Sequence, residues 1–317
     1  MADLRNELRW SHTRQRRWDA CRRQYYLAHY AHWNGWRRDA TPLQRTCYLL
    51  TKMVNLPMFA GDVVHTVAEK ALRDLRAGHS RPVDSWVEEA RRLLNEGWQQ
   101  SKSGRWRQSP KDCTNLFEHF HGLPVGKQDI ERTRERVTLC VEHLFTIPLW
   151  QSIRESDPQR WRTVEELASF DLGRFGAWLK IDFAFEDAAP TLWLVDWKTG
   201  REEENHRDQL LAYALYAHRA WKTPPERMRL VPVYLREGQS ESVSVTAEEL
   251  AEAESRILGV CEAMAAASPW NDSITWSLSS APNSPRSDAA CCNRSCPGAA
   301  AMLSCPPGAC LAGRASP

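Results

Sequence analysis

Residues 177–200, AWLKIDFAFEDAAPTLWLVDWKTG, contain the most informative strand pattern of the chain. Aromatic and β-branched residues are frequent over 175–186 and 191–198, and the turn-forming residues EDAAP separate the two runs. Such runs, bounded by turn material, are typical of strands. The sequence therefore predicts two strands joined by a hairpin that turns near Ala188 or Ala189.

Three charged residues lie inside these predicted strands. Asp182 lies in the first strand, and Asp196 and Lys198 lie in the second. Side chains alternate along a strand, so Asp196 and Lys198 share a face, and the hairpin places Asp182 opposite Asp196 or one residue off. Opposed Cβ atoms lie about 5 Å apart, so the two carboxylates could hold one hard cation. The alternative is a structural ion pair between Asp182 and Lys180 or Lys198.

The rest of the chain alternates between helical and strand patterns. Helical periodicity dominates up to about residue 150, apart from a polar stretch over 101–127 that predicts a loop or insertion. The predicted helices cover 11–30, 61–76, 83–100, 128–145, 204–221 and 247–266, and the further strands cover 163–171, 228–235 and 241–246. This order predicts an α/β fold, with a small mixed β-sheet flanked by helices and an N-terminal helical part.

Composition indicates an ordinary globular chain. Of its 317 residues 42% are hydrophobic and 26% are charged, and no run of about 18 apolar residues could span a membrane. The start, MADLRNELRW, lacks the apolar core of a secretory signal. Ten cysteines without such a signal indicate a reducing compartment, so we expect a cytoplasmic protein with no membrane partner.

The distribution of charge is more informative than net charge, because 42 Lys and Arg residues nearly balance 40 Asp and Glu residues. Between residues 13 and 38 there are seven arginines and a single acid, Asp19. An arginine-rich helix that also carries Trp and Tyr suits contact with DNA phosphates and bases. The alternative is a solvated basic face, which has the same composition.

Four motifs follow one another along residues 11–220. They are SHTRQRRWDACRRQYYLAHY with Cys21, GDVVHTVAEKAL with His65, WLKIDFAF followed by LWLVDWKTG, and DQLLAYALYA with Gln209 and Tyr213. In this order they resemble the RecB-like branch of the PD-(D/E)XK nuclease superfamily, including AddB-type nuclease domains and CRISPR-associated adaptation exonucleases. The resemblance implies a restriction-endonuclease-like core.

The resemblance also implies a metal site. His65, Asp182 and Asp196 would bind Mg²⁺ or Mn²⁺. The family often has an acid shortly before the strand of Asp182, and this chain has Glu165 and Glu166 there. All of these groups offer the oxygen and nitrogen atoms that such ions accept in proteins.

The remaining motif residues have implied roles beside the metal. Lys198 would orient the attacking water and offset the charge that grows on the phosphorus centre. Gln209 and Tyr213 lie four residues apart on one helix face, and they would brace Lys198 or contact the DNA backbone. Each residue also has a plainer interpretation: Gln209 and Tyr213 as ordinary helix residues, and His65 as a partner of Glu69, one turn further on.

Cys21 and the cysteines near the end of the chain form a second candidate site. In part of the resembled family, one cysteine of the opening helix joins three C-terminal ones around an iron–sulfur cluster, which implies Cys21, Cys292, Cys296 and Cys305 here. The C-terminal spacing departs from the family's Cys-x2-Cys-x5-Cys, so zinc binding or no metal at all remain alternatives. Residues 277–317 are accordingly predicted to be a Cys-, Ala-, Pro- and Ser-rich tail, cluster-binding or disordered.

The function that the resemblance implies is a metal-dependent deoxyribonuclease, an exonuclease, acting in DNA repair, recombination or CRISPR adaptation. One nuclease domain over 1–276 would comprise a helical part, about 1–150, and a catalytic sheet core, about 160–266. The chain has no Gly-x-x-x-x-Gly-Lys-Ser/Thr motif, so a helicase partner would be a separate protein. The alternatives are a non-catalytic DNA-binding scaffold that keeps the fold and a structural metal protein organised by its cysteines.

Overall fold

The computed structural model describes residues 6–200 and 206–268. Its helices are α1 (His12–Ala20), α2 (Arg22–Tyr26, continued by a π-helical turn, Leu27–Ala31), α3 (Pro42–Thr51), α4 (Leu56–Arg76), α5 (Val83–Lys102), α6 (Phe117–Phe120), α7 (Lys127–Thr146), α8 (Pro148–Glu155), α9 (His206–Ala220) and α10 (Ala247–Ala266). Its strands are β1 (Arg9–Trp10), β2 (Met53–Val54), β3 (Asn115–Leu116), β4 (Trp161–Leu172), β5 (Phe175–Glu186), β6 (Leu192–Lys198), β7 (Met228–Tyr234), β8 (Gln239–Ser240) and β9 (Val243–Ser244). None of these helices combines the length and the apolar character needed to cross a lipid bilayer.

The main sheet is mixed and is built around the long hairpin of β4 and β5. The strand order is β1–β5–β6–β7–β8, with β4 antiparallel to β5 and β9 antiparallel to β7. β5 and β6 are antiparallel, whereas β6 and β7 run parallel and are connected through α9. A second, two-stranded sheet pairs β2 with β3. The predicted α/β class, a mixed sheet flanked by helices with a helical N-terminal part, is confirmed.

The hairpin of β5 and β6 has the predicted register. Its paired residues centre the turn on Ala189, and the last pair before the ladder ends is Phe183 with Val195. The next positions on the two strands are Asp182 and Asp196. The two aspartates therefore lie on opposed strands at the point where the strands separate, as the sequence predicts.

Apolar side chains fill both faces of the sheet. α4, α5 and α7 cover one face, where Val195 and Trp197 are buried. α9 and α10 cover the other face, where Leu194 is buried. Asp196 and Lys198 alternate with Val195 and Trp197 along β6, so they lie on the side of α9. This alternation confirms the predicted shared face of the two charged residues.

α4 carries His65 and is held in place by both its ends and its buried face. Asn55 caps the helix by accepting a hydrogen bond from the first turn, and the helix ends before Gly78, whose φ of +79° favours glycine. Residues at helical spacing along one face are buried: Val64, Val67, Ala68 and Ala71. A Cβ at Gly61 would lie 3.1 Å from Thr199 Oγ1, so glycine permits the helix to approach the chain that leaves β6. This approach brings His65, one turn further on, beside the sheet.

One edge of β5 is paired only at its two ends. β1 pairs with Gly176 and Ala177, and β6 pairs from Phe183 onward. Between these segments a side chain takes the place of a strand, because the hydroxyl of Tyr213 donates to the carbonyl oxygen of Lys180 at 2.8 Å. α9 therefore reaches the backbone of β5 through an opening in the sheet.

The N-terminal segment departs from the single helix predicted over 11–30, and that prediction is wrong in detail. At Cys21 the backbone is extended, with φ −163° and ψ 115°, so one helix ends and another begins there. The guanidinium group of Arg14 is buried and donates to the hydroxyls of Tyr25 and Tyr30 across the break. Arg14 therefore stabilises the fold and is not part of a solvated basic face.

Several short elements were not predicted. α3 and α8 both begin with a proline at the first helical position, which is favourable for starting a helix. The expected loop over 101–127 contains β3 and α6. β8 and β9 pair with β7 on either side of Pro232, a residue that has no N–H to donate to a neighbouring strand.

Candidate active site

Three side chains from distant parts of the chain converge beside the opening in the sheet. His65 of α4, Glu165 of β4 and Asp182 of β5 each offer one ligand atom, and these atoms all lie within 4.8 Å of one another. His65 Nδ1 lies 3.0 Å from Glu165 Oε1 and 3.5 Å from Asp182 Oδ2. Within residues 6–200 and 206–268, this is the one group of three or more His, Cys, Asp or Glu side chains close enough to hold a metal ion.

Glu165 is held in a conformation that strands rarely contain. Its φ is +54°, a left-handed value that costs a non-glycine residue about 1–3 kcal/mol and that is concentrated at functional sites. Lys180 Nζ lies 2.7 Å from its second oxygen, Oε2. The next residue, Glu166, is exposed. The backbone strain therefore selects one of two adjacent acids and directs it towards His65.

The carboxylate of Asp182 is tied to the neighbouring strand. Its Oδ2 accepts a hydrogen bond of 2.8 Å from the backbone N–H of Trp197, where the regular ladder has ended. Asp196, only 1% exposed, lies on that strand with its Oδ2 2.5 Å from Lys198 Nζ. Both aspartates lie at the end of the hairpin, and each contacts a residue of β6. Asp196 is not part of the group formed by His65, Glu165 and Asp182, so the structure brings together two of the three predicted ligands there.

Residues of α9 connect these groups. Lys198 Nζ donates to Gln209 Oε1 at 2.8 Å, and Gln209 Nε2 donates to the hydroxyl of Tyr213 at 2.6 Å. That hydroxyl also lies 3.2 Å from Asp196 Oδ1. The expected contact between Gln209 and Lys198 is confirmed, and Tyr213 contacts Asp196 in addition.

The buried charges shift the pKa values of the site. Burial lowers the pKa of His65, but the charge of Asp182 and the hydrogen bond with Glu165 outweigh it and raise the pKa to about 9. Burial, helped by the charges of Asp196 and Glu165 and opposed by that of His65, raises the pKa of Asp182 to about 7. Burial and the charges of Asp196 and Asp182 raise the pKa of Tyr213 well above its usual range, so this phenol keeps its proton.

These donor groups fit a divalent metal ion. Glu165, Asp182 and Asp196 are buried together, although an unpaired buried carboxylate is costly. The raised pKa values of His65 and Asp182 mean that the cluster retains protons near neutral pH, which marks excess negative charge that a cation would offset. Carboxylate oxygens with one imidazole nitrogen suit Mg²⁺ or Mn²⁺.

A further titratable group lies near the site and was missed by sequence reasoning. Burial, followed by the charges of Arg16 and Lys198, lowers the pKa of His12 to about 4. His12 is the first residue of α1, so it is neutral at physiological pH and close enough to Lys198 to sense its charge. No local pattern singles it out, since its position depends on the packing of α1 against α9.

Two other expectations have definite outcomes. The suggestion that His65 pairs with Glu69 is wrong, because Glu69 pairs with Arg73 and His65 with Glu165.

Cys21 is half-buried at the junction of α1 and α2. Three further cysteines of the implied cluster lie outside the described residues: Cys292, Cys296 and Cys305. The iron–sulfur site therefore stays a prediction.

Comparison with known proteins agrees with this geometry. A family model described as the PD-(D/E)XK nuclease superfamily matches residues 9–300, which is most of the chain. A comparison with curated proteins finds no match. The mixed α/β architecture is consistent with a restriction-endonuclease-like core, and the family indicates a metal-dependent nuclease. The extent of the match, together with a hairpin that brings its acids to a histidine and a lysine, leads to one conclusion: the chain belongs to the PD-(D/E)XK nuclease superfamily.

Proposed function

We propose that this protein is a Mg²⁺- or Mn²⁺-dependent deoxyribonuclease that hydrolyses the phosphodiester bonds of DNA. The observation that carries the proposal is the convergence of His65, Glu165 and Asp182 at the point where Asp196 and Lys198 leave the hairpin. A carboxylate-rich metal site beside a mostly buried lysine suits attack of water on an anionic phosphodiester.

In this proposal four residues hold the metal ion: His65, Glu165, Asp182 and Asp196. When bound, the ion would polarise the scissile phosphate and lower the pKa of a water molecule. The chain itself keeps the ligands in place before the ion arrives. The strained backbone directs Glu165, the Trp197 N–H fixes Asp182, and the hydroxyl of Tyr213 contacts Asp196.

In this proposal Lys198 orients the attacking water and offsets the negative charge that grows on the phosphorus centre. Its ammonium group is mostly buried and is held between Asp196 and Gln209, so it has little freedom to move. A positive charge held in place is worth more at a reacting centre than one that must reorganise during the reaction. Gln209 is a positioning residue in this proposal, because it contacts Lys198 through a hydrogen bond.

We further propose that the enzyme is an exonuclease of the RecB-like branch, acting in DNA repair, recombination or CRISPR adaptation, with any helicase partner a separate protein. The support is the order of four motifs along residues 11–220, which resembles the order in that branch. Labelled linear DNA compared with a covalently closed circle, each as a single strand and as a duplex, tests the exonuclease assignment. An exonuclease should degrade the linear form and leave the circle intact.

The first test of the function is metal removal. We expect the purified protein to cleave single- or double-stranded DNA with Mg²⁺ or Mn²⁺, and to stop cleaving when EDTA removes the ion. Adding excess Mg²⁺ should restore activity, and RNA of the same sequence should remain intact. Cleavage that persists in EDTA would contradict the proposal. DNA binding without cleavage under every condition would favour the scaffold alternative.

Glu165 allows a second test with a neighbouring control. Replacing Glu165 by Gln keeps its shape but removes the charge that faces His65, and we expect Mg²⁺ affinity to fall by about tenfold or more. Replacing the exposed Glu166 by Gln should leave affinity unchanged. Calorimetric titration with Mg²⁺ measures both variants. Equal affinities for the two would remove Glu165 from the ligand set.

A further inference from the structure

The outer halves of β4 and β5 leave one face of the sheet uncovered. On this face Leu167 is 67% exposed and Trp178 is 46% exposed. Leu167 pairs with Lys180 across the two strands, and Ser169 pairs with Trp178. Directly opposed residues have Cβ atoms about 5 Å apart, so these side chains form one continuous patch. We call Leu167, Trp178 and Lys180 the β4–β5 platform.

The platform is continuous with the candidate active site. Lys180 Nζ lies 2.7 Å from Glu165 Oε2, and Glu165 in turn contacts His65. Trp178 lies two residues beyond Lys180 and four beyond Asp182 on the same strand. At roughly 3.4 Å per residue, the indole is about 14 Å from Asp182 along the strand. A short stretch of nucleotides running from the scissile phosphate would reach it.

The side chains around the platform suit a nucleic acid. The guanidinium group of Arg9, which also pairs with Glu7, lies 5.5 Å from the centre of the Trp178 ring. Lys180, which pairs with Glu165, lies two residues further along the strand. An exposed indole flanked by cations offers stacking to a base and attraction to the adjoining phosphates. An isolated exposed apolar side chain is common, but here two lie together beside the candidate metal site.

We propose that the β4–β5 platform binds the unpaired bases of single-stranded DNA next to the bond that is cut, with Trp178 stacking on a base. The inference rests on the proposed function and deepens it by naming the strand form that the site accepts. Every base presents a flat face, so such a contact would hold single strands without selecting a sequence. Bases inside a duplex are stacked on their neighbours and expose no such face, so the platform would distinguish single strands from the interior of a duplex.

The experiment compares base-containing and abasic strands on the full-length protein. Fluorescence anisotropy in EDTA and at fixed salt measures the Kd of a labelled oligothymidylate, an abasic strand of equal length and a blunt duplex. We expect Trp178→Ala to weaken binding of the oligothymidylate by about tenfold. The abasic strand should bind the variant and the wild-type protein equally, because it has no base to stack. Trp178→Phe, which keeps a ring, should retain most of the affinity.

Two control variants keep the result interpretable. Leu123 is also 46% exposed but lies in the loop after α6, and Leu123→Ala should change none of the three affinities. If Trp178→Ala unfolds, as circular dichroism would reveal, Trp178→Leu takes its place, since it keeps an apolar side chain without a ring. We expect the same loss of affinity for oligothymidylate with Trp178→Leu.

The outcomes separate this inference from the proposed function. If the wild-type protein binds and cuts DNA but a folded Trp178 variant binds oligothymidylate normally, the platform assignment is wrong and the nuclease assignment stands. An equal loss on the abasic strand would also overturn stacking. A concentration-dependent dimer that Trp178→Ala abolishes would assign the face to a second copy of the chain. If the wild-type protein neither binds nor cuts DNA, both proposals fall together.

Discussion

Replacing Asp196 by Asn is expected to lower the rate of DNA cleavage at least about a hundredfold while leaving DNA binding intact or stronger. The change removes a proposed metal ligand that is almost fully buried. It also removes a negative charge from a site that must accept an anionic phosphodiester. Asparagine keeps an oxygen that Tyr213 can contact, so the fold should persist. Cleavage rate and anisotropy on the same labelled DNA measure the two effects.

Asp74→Asn is the matched control for this substitution. Asp74 lies near the end of α4 and pairs with Arg81 at the surface, 3.7 Å apart, and such exposed pairs contribute only about 0–1 kcal/mol. We expect this variant to cleave DNA like the wild-type protein. Cleavage that survives Asp196→Asn would place the active site elsewhere or reveal a contaminating nuclease.

Lys198→Met should separate catalysis from metal binding. The side chain keeps its length but loses the charge that the proposal places at the attacking water, so kcat should fall by about 10²–10³-fold. Lys198 is not a ligand, and removing its positive charge from beside Asp196 can only favour a cation there. Mg²⁺ affinity should therefore be unchanged or higher. Single-turnover cleavage and calorimetric titration provide the two measurements.

Lys102→Met controls for the loss of one lysine. Lys102 is exposed in the last turn of α5, and its replacement should affect neither measurement. If Lys198→Met turns over DNA at the wild-type rate, the catalytic role proposed for that lysine is wrong. Loss of metal affinity together with turnover would instead mean that the substitution disturbs the ligands themselves.

The hairpin at the centre of the site could be predicted from sequence because it depends only on residues that are close together in the chain. Two strands joined by a short turn have one register that buries their apolar residues, and a slip of one residue would turn every side chain to the other face. That register alone places Asp182 opposite Asp196 and puts Lys198 on the same face. The helix of His65 was predictable for a similar reason, since its buried face repeats at helical spacing.

Glu165 could not be selected from sequence. It stands beside Glu166 on a strand, and the two acids are the same residue type with the same propensity. The choice becomes visible only in the fold, where Glu165 has a left-handed backbone angle and contacts His65 and Lys180. The break at Cys21 was missed because one extended residue hardly changes the helical spacing of the residues around it.

The pairing of β1 with β5 has a consequence for how the chain folds during synthesis. Trp10 leaves the ribosome early, but its strand partner Ala177 is made only after the whole helical part. At about 5–20 residues per second, the first strand must wait on the order of ten seconds for its partner. Contacts of such long sequence separation slow folding. Folding of the N-terminal segment during synthesis therefore cannot complete this part of the sheet until β5 has been made.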